Sequence, residues 1–242
     1  MLKTMKSVSV IGVMLMVMAA QVAASPTFHV DTLFKSSNKN GNEIFTVSNL
    51  GREALYLKTE VLRIELHDGE IKKVPLTRDN FPLWDLAVNP TKAVLQVGEV
   101  RDFTVKYLCE TNCDRSEDLV YQVRFVPSAE VDGKQGQQVS FLFGMAPYYV
   151  IPALKQKVDY QWDYQASKRQ IEITNTGNTF IKVELSQCHE QQSAKEKAQC
   201  RVVHHILAQR HKVITLPETF DDAPVSVRVA NHDQSIEKTF NL

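Results

Sequence analysis

Apolar and polar residues alternate over short stretches along most of this chain, with the period of two that is typical of β-strands with one buried face. β-branched and aromatic residues are frequent in these stretches, and polar turn residues separate them. The pattern predicts strands over residues 44–47, 54–66, 94–108, 119–126, 139–151, 158–164, 170–174, 179–186, 202–207, 211–215, 225–229 and 235–240. Short strands at such spacing predict an all-β fold, and the length fits two β-sandwiches in series.

A change of character near Pro152 suggests where one sandwich ends and the next begins. The sequence YYVIPALK passes there from an apolar run to a polar one, and proline cannot continue the hydrogen bonding of a central strand. We expect an N-terminal domain over residues 25–152 and a C-terminal domain over residues 153–242.

The first 24 residues have the pattern of a signal peptide. Lys3 and Lys6 precede an apolar run over residues 8–20, and Val22-Ala23-Ala24 supplies the small residues of a cleavage site. We expect cleavage after Ala24. The alternative is an uncleaved anchor, although the run is shorter than the roughly 20 residues that span a bilayer. The mature chain is expected to be exported and soluble, without insertion into a membrane.

Two local patterns in the second half carry structural predictions. In QIEITNTGNTFIKV (residues 170–183), Asn and Gly adopt positive φ at little cost between two β-branched stretches, which predicts a hairpin-like turn. The stretch QQSAKEKAQ (residues 191–199) has no apolar stripe, so we expect a solvated loop there rather than a helix.

The charge balance gives no sign of a nucleic-acid partner. The chain has 28 basic and 28 acidic residues, so bulk charge does not favour binding to nucleic acid or to an anionic membrane. A partner must be recognised by shape and local chemistry.

Four cysteines complete the composition. An even number in an exported chain favours disulfides, and proximity in sequence pairs Cys109 with Cys113 and Cys188 with Cys200. The alternative is a metal site, for which the ligands would be Cys188, His189, Cys200, His204 and His205. Zinc sites usually have tight paired spacings, and this cluster has one loose spacing, so no metal is expected.

The sequence lacks the motifs of common enzymes. It contains no G-x-S-x-G, no G-x-x-x-x-G-K and no H-E-x-x-H. Asp221 and Asp222 follow Pro217 in a stretch that resembles a solvated turn, which explains them better than acid and base catalysis. We expect no catalytic residue and no cofactor, so the function is binding.

The segment QVSFLFGMAPYYVIP (residues 138–152) is the candidate binding element. In an extended strand Val139, Phe141, Phe143 and Met145 share one face, whereas the side chains of the opposite face are smaller and less apolar. If the face with the smaller side chains packed on the core of its own domain, the face with the bulky side chains would be exposed at an open edge to which a partner strand could bind. The alternative is that Phe141 and Phe143 fill the core of their own domain.

The order of these features resembles the PapD-like periplasmic chaperones of the chaperone-usher pathway. The resemblance rests on FTVSNLGREALYLKTEVLRIE (residues 45–65), LAVNPTKAVLQVGEV (86–100) and DLVYQVRFVPS (118–128), followed by the apolar strand that ends at Pro152. In the second half, ITNTGNTFIKVELSQC with a second cysteine at Cys200 is similar to the alternate branch that serves common-pilus (Mat-type) and class 5 fimbriae.

This resemblance implies two immunoglobulin-like β-sandwich domains in an L-shaped arrangement and a periplasmic location. It also implies fimbrial subunits (pilins) and an outer-membrane usher as partners, and a mechanism without ATP. In that mechanism the chaperone lends its last first-domain strand to a subunit that lacks one, which is donor-strand complementation. By position the donor strand is residues 138–149.

One departure concerns the basic residues that anchor the subunit carboxylate in the better-known branch. Leu33 stands about where an arginine is expected, Lys35 is out of register, and the strand before Pro152 has no basic residue. We therefore assign no anchor.

The main alternative function is an exported fimbrial or surface subunit that itself polymerises.

Overall fold

The computed structural model describes residues 28–67, 69–109, 111, 113–128, 143–189 and 193–242, and nearly all of its regular structure is β. The first group of strands is β1 (Phe28–Val30), β2 (Phe34–Ser36), β3 (Glu43–Asn49), β4 (Leu55–His67), β5 (Glu70–Pro75), β6 (Leu86–Asn89), β7 (Lys92–Leu95), β8 (Val100–Tyr107), β9 (Leu119–Ser128) and β10 (Tyr148–Ile151). The second group is β11 (Tyr160–Gln165), β12 (Gln170–Asn175), β13 (Ile181–Ser186), β14 (Arg201–Ile206), β15 (His211–Thr215), β16 (Ser226–Ala230) and β17 (Glu237–Asn241). Helical turns cover Arg78–Leu83 and Ala166–Lys168 (both 3₁₀) and Ala194–Gln199 (α1).

The first ten strands form the first sandwich. One sheet has the order β1-β3-β8-β6, and the other has the order β2-β10-β9-β4-β5 with β7 also paired to β4. Inward-facing residues of both sheets form one core, in which the ring of Phe125 meets those of Phe45 and Phe103 edge-on, with centroids 6.0 and 5.1 Å away. Alternate residues along these strands are buried, as the sequence pattern predicts.

The last seven strands form the second sandwich. Its sheets have the orders β11-β12-β15 and β14-β13-β16-β17, and they enclose a separate core of Ile, Val, Leu and Phe side chains. The all-β prediction with two sandwiches is therefore confirmed. The sheets divide between Ile151 and Tyr160, and residues 152–159, which we call the linker, contain no strand.

The start of the described chain contributes to both sheets of the first sandwich. β1 pairs antiparallel with β3, and after a short break at residues 31–33 β2 pairs parallel with β10. Asp31 and Thr32 stabilise this break with side-chain hydrogen bonds to the backbone N–H groups of Thr46 and Phe34. Phe34 is thereby carried to the end of the sandwich that faces the second one.

Both sandwiches contain the same turn, built on Asn-x-Gly with a buried Asn. Asn49 donates from Nδ2 to the carbonyls of Glu53, Leu95 and Gln96 at 2.9–3.1 Å and accepts from the N–H of Gly51 at Oδ1. Asn175 occupies the same position in the Asn-x-Gly turn of the second sandwich and bonds its own set of backbone groups.

The strand predicted over residues 94–108 is two strands, β7 and β8, separated by a turn at Gly98. Two local predictions in the second half were also wrong. The turn after Asn175 does not close a hairpin, because β12 and β13 lie in different sheets of the second sandwich and the turn crosses between them. Residues 194–199 form a helix rather than a loop. Ser193 and Glu196 make a reciprocal capping box, in which each side chain bonds the backbone N–H of the other, and this stabilises the first turn without an apolar stripe.

Within the part of the chain that the structure describes, no helix has the length and apolar character needed to cross a membrane.

Candidate functional site

The segment before β10 continues the sheet of the first sandwich. Phe125 and Met145 exchange backbone hydrogen bonds at 2.7 and 3.1 Å, and the N–H of Val123 donates to Pro147 O at 3.0 Å. The same register continues through β10, where Tyr149 lies opposite Tyr121. Residues 145–151 therefore follow β9 without a bulge.

Side chains of this segment become more exposed toward its start. Tyr149 and Ile151 are fully buried in the first core, and Met145 packs against the same core while partly buried. Phe143, by contrast, has 63% of its surface exposed. Val139 and Phe141, the other two residues of the sequence-predicted donor face, lie outside the described residues, so the assignment of the four residues to a donor strand stays a prediction.

The outer edge of the segment is covered only in part. Residues 148–150 pair with β2, and the N–H of Tyr148 donates to Leu33 O at 2.9 Å. Among the described residues, Met145 pairs with β9 and with no second strand. Within the described part of the chain, the sheet thus has a free edge immediately before the point at which β2 begins, next to the exposed ring of Phe143.

Lys35, a basic residue near this edge, already binds groups of its own sandwich. Lys35 bonds Asp31 Oδ2 at 2.7 Å, donates to the carbonyl of Ile44 and lies 5.0 Å from the ring centre of Phe45. It is committed to its own sandwich. Leu33, at the position where the resemblance suggests an arginine, is exposed.

The two sandwiches meet at a junction organised by Asp118, at the end of the loop before β9. Its Oδ1 accepts from the N–H of Ala153 in the linker at 2.8 Å, and its Oδ2 accepts from the N–H of Phe180 in the second sandwich at 2.6 Å. Its own N–H donates to Asn178 O at 3.0 Å. Burial raises the pKa of Asp118 above its ordinary value, and the two N–H donors oppose that rise.

The Asn-x-Gly turn of the second sandwich supplies the other half of the junction. Asn178 donates from Nδ2 to Ser116 O at 2.6 Å and to Lys155 O at 2.9 Å, and its Oδ1 accepts from the N–H of Lys157 at 2.7 Å. One amide side chain therefore joins the first sandwich, the linker and the second sandwich.

Arg115 fixes the linker from the side of the first sandwich. Its guanidinium donates to the carbonyl of Pro152, at 3.1 Å from Nε, and to Lys39 O at 3.3 Å. The N–H of Leu154 in turn donates to Arg115 O at 3.0 Å. Arg115 and Asp118 together bind the carbonyl and the N–H of the peptide group that joins Pro152 and Ala153.

Beside these polar contacts lies an apolar cluster shared by the two sandwiches. Ile64, Val120 and Val150 from the first pack with Phe180 and Leu207 from the second. A cleft with a volume of about 310 Å³ opens next to the cluster, between Phe34 and Tyr148 on one side and the β14–β15 turn on the other.

The structure places both disulfides where the sequence predicts them. Cys109 bonds Cys113 and Cys188 bonds Cys200, with Cα atoms 5.8 and 5.1 Å apart. The alternative metal site is contradicted, because Cys188 and Cys200 bind each other and cannot act as thiolate ligands. Among the described residues, no group of three or more His, Cys, Asp or Glu side chains could hold a metal ion.

The residues of the junction were not identified from the sequence. Asp118 is one of two adjacent acidic residues in RSEDLV, and the role of Asn178 depends on contacts with Ser116 and Lys155, which are distant in sequence. The Asn-x-Gly signature marked the turn but did not reveal what the turn contacts.

Solved structures similar to this fold include fimbrial chaperones and a chaperone–pilin complex. The class 5 fimbriae chaperone CfaA is 16% identical, with 89% of this chain and 97% of that chain covered and a TM-score of 0.53. A structure of the Salmonella enterica SafA pilin in complex with the SafB chaperone is 9% identical, with coverages of 90% and 96% and a TM-score of 0.54. The E. coli chaperone DraB is 14% identical, with coverages of 89% and 97% and a TM-score of 0.51.

At these identities the likeness establishes the fold. No curated protein matches the sequence. A family model described as the CS5 fimbrial protein N-terminal domain matches residues 30–152, which is just over half of the chain. This protein therefore belongs to the family defined by the CS5 fimbrial protein N-terminal domain.

Proposed function

We propose that the protein is a periplasmic chaperone that binds fimbrial subunits by donor-strand complementation, stabilises them and delivers them to an outer-membrane usher without ATP. The observation that carries the proposal is the free sheet edge at Met145, next to the exposed ring of Phe143. A free edge offers main-chain hydrogen bonds to an added strand, and an exposed aromatic ring offers area to bury.

The donor residues of the proposal are Val139, Phe141 and Phe143, with Met145 at the point where the donor strand joins the sheet. Burying three apolar side chains in the groove of a subunit contributes roughly 5–9 kcal/mol at about 1.5–3 kcal/mol each, before the cost of ordering the partners. This contribution is large enough to sustain a specific complex. No step of such a mechanism needs a catalytic residue or a cofactor.

The fold likeness supports the chaperone class, since the similar structures are those of chaperones or of a chaperone complex. The second candidate, a fimbrial subunit, is favoured by one observation, because the matching family model is described as a fimbrial protein. A subunit would polymerise into a fibre, whereas a chaperone would form a one-to-one complex with its cargo and stay in the periplasm.

Co-expression with a candidate pilin encoded beside an usher tests the proposal. The wild-type protein should co-purify with the pilin as a one-to-one complex from the periplasm. Replacing both Phe141 and Phe143 with Glu should abolish the complex and leave the circular dichroism spectrum and the thermal midpoint of the free protein unchanged.

Phe81 provides a matched control. It lies in the same sandwich, on the 3₁₀ helix, and is 65% exposed, so Phe81→Glu should leave the complex intact. A complex that survives the double substitution would contradict the donor assignment. If the double variant unfolds, the single Phe143→Glu variant, at an exposed position, keeps the test available. Fibres formed by the protein alone would favour the subunit hypothesis.

A further inference from the structure

The ring of Phe34 in the first sandwich stacks on the imidazole of His205 in the second. Their centroids are 3.9 Å apart and their planes differ by 6°. The ring of Phe180 meets that of Phe34 edge-on, at 4.9 Å between centroids. His205 thus belongs to the aromatic contact that closes the two sandwiches against each other at the cleft.

The charged groups around His205 are mostly cationic. On its own sheet, Lys182 lies directly opposite in the β13–β14 register, and His204 precedes it. On the same side of the cleft as His205, the β14–β15 turn and β15 contribute Arg210, His211 and Lys212. The first sandwich presents Phe34, Ile71 and Tyr148, and no carboxylate lines the cleft among the described residues.

Nearby carboxylates are already engaged. Glu184 on the same sheet lies within 3.5–3.9 Å of Lys182, Arg201 and Arg228. Asp118 accepts backbone hydrogen bonds from Ala153 and Phe180. A proton added to His205 would therefore place a cation in a partly buried site among other cations, without an anionic partner.

We propose that His205 is an acid-sensitive latch between the two sandwiches. The neutral imidazole stacks on Phe34 and holds the two sandwiches together. The imidazolium, repelled by Lys182 and Lys212, leaves the stack and lets the sandwiches separate. The proposal concerns the free protein and goes beyond the proposed chaperone function.

The direction of the pH dependence follows from the environment of the ring. Burial, with smaller contributions from Lys182, His204 and Lys212, lowers the pKa of His205 to about 4. An imidazole freed by opening regains an ordinary pKa near 6.5. Between these two values the open form binds the extra proton, so the closed form loses up to tenfold in relative population for each unit by which the pH falls.

Small-angle X-ray scattering of the full chain between pH 7 and pH 4 tests the latch, with circular dichroism to confirm that both sandwiches stay folded. The maximum dimension should grow as the pH falls below about 6. Phe replaces the imidazole with a ring that stacks but does not titrate, so His205→Phe should stay closed throughout. His204→Gln and His211→Gln should open like the wild type.

A wild-type maximum dimension that stays constant down to pH 4 in a folded protein would overturn the proposal, as would opening of His205→Phe at the same pH as the wild type. If His205→Phe fails to fold, the histidine C–H resonances of the wild type provide a second measurement. A His205 titration that coincides with the growth of the maximum dimension supports the latch, and a titration of His205 with no change in dimension contradicts it.

Discussion

Phe180 donates its backbone N–H to the carboxylate of Asp118 across the boundary between the two sandwiches, with 2.6 Å between N and Oδ2. Asp118, in the first sandwich, also accepts a hydrogen bond from the N–H of Ala153 in the linker. Phe180, in the second sandwich, also packs its ring against Phe34. A polar contact and an apolar contact are therefore coupled through Phe180, which explains how a short linker holds two sandwiches in one arrangement.

Replacing Asp118 with Asn should weaken the junction. Asn has one acceptor oxygen and one NH₂ donor, so one of the two backbone N–H groups at this site loses its acceptor. Leaving a buried donor unpaired costs about 1–3 kcal/mol, and we expect a loss of this size in the free energy of unfolding measured in urea. The matched control is Asp114→Asn in the same loop.

The control position is exposed, and among the described residues the Asp114 carboxylate accepts hydrogen bonds from Ser116 alone, at 2.7–3.0 Å, through one oxygen. It should change the free energy of unfolding by less than about 0.5 kcal/mol. Equal effects of the two substitutions would show that Asp118 does not connect the sandwiches.

Gly177→Ala should displace the linker. A Cβ at this position would lie 2.2 Å from Lys157 O and 3.0 Å from Asp159 N, and a backbone carbonyl cannot move without moving the chain. Lys155 and Lys157 are exposed in the linker and are trypsin sites. We expect limited trypsin cleavage after these lysines to become about tenfold faster or more, since cleavage follows the population of the opened linker and about 1.4 kcal/mol corresponds to tenfold.

The comparison for this variant is Gly98→Ala in the first sandwich. A Cβ there meets nothing within 4 Å, although the positive φ of 74° costs some stability. Its linker should be cut at the wild-type rate. A Gly177→Ala protein with wild-type cleavage kinetics would show that the linker has room that the structure does not indicate.

The buried Asn side chains of the two Asn-x-Gly turns should stabilise their own sandwiches to a similar degree. Asn175 donates from Nδ2 to Thr179 O at 2.8 Å and Ile206 O at 3.0 Å and accepts from the N–H of Gly177, as Asn49 does with its own partners. Asn49→Ala and Asn175→Ala each leave several buried backbone groups unpaired. We expect each to lower the free energy of unfolding by about 2–4 kcal/mol, measured by urea denaturation against the exposed control Asn40→Ala, which should change it by less than about 0.5 kcal/mol.

The strands could be predicted because local alternation reports which residues face a core. The pattern over residues 94–108 nevertheless continued through a turn, because Gly98 at positive φ breaks the strand in two without interrupting the apolar residues. The Asn-x-Gly turn gave the same local signal whether its strands paired or crossed between sheets. Asp118 and His205 could not be predicted as junction residues, since their partners are distant in sequence.

The disulfides should stabilise the two sandwiches to different degrees. Closing a loop restricts the unfolded chain more when the loop is longer, and the sequence separations are 4 for Cys109 and Cys113 and 12 for Cys188 and Cys200. The chain-entropy relation gives about 2 kcal/mol for the short loop and about 3 kcal/mol for the long one. The double Cys→Ser variants, compared by urea denaturation, should therefore lose more stability when the bridge between Cys188 and Cys200 is removed. The opposite order would mean that the short loop stabilises native contacts beyond its own closure, such as those that Arg115 and Asp118, which follow Cys113 in sequence, make with the linker.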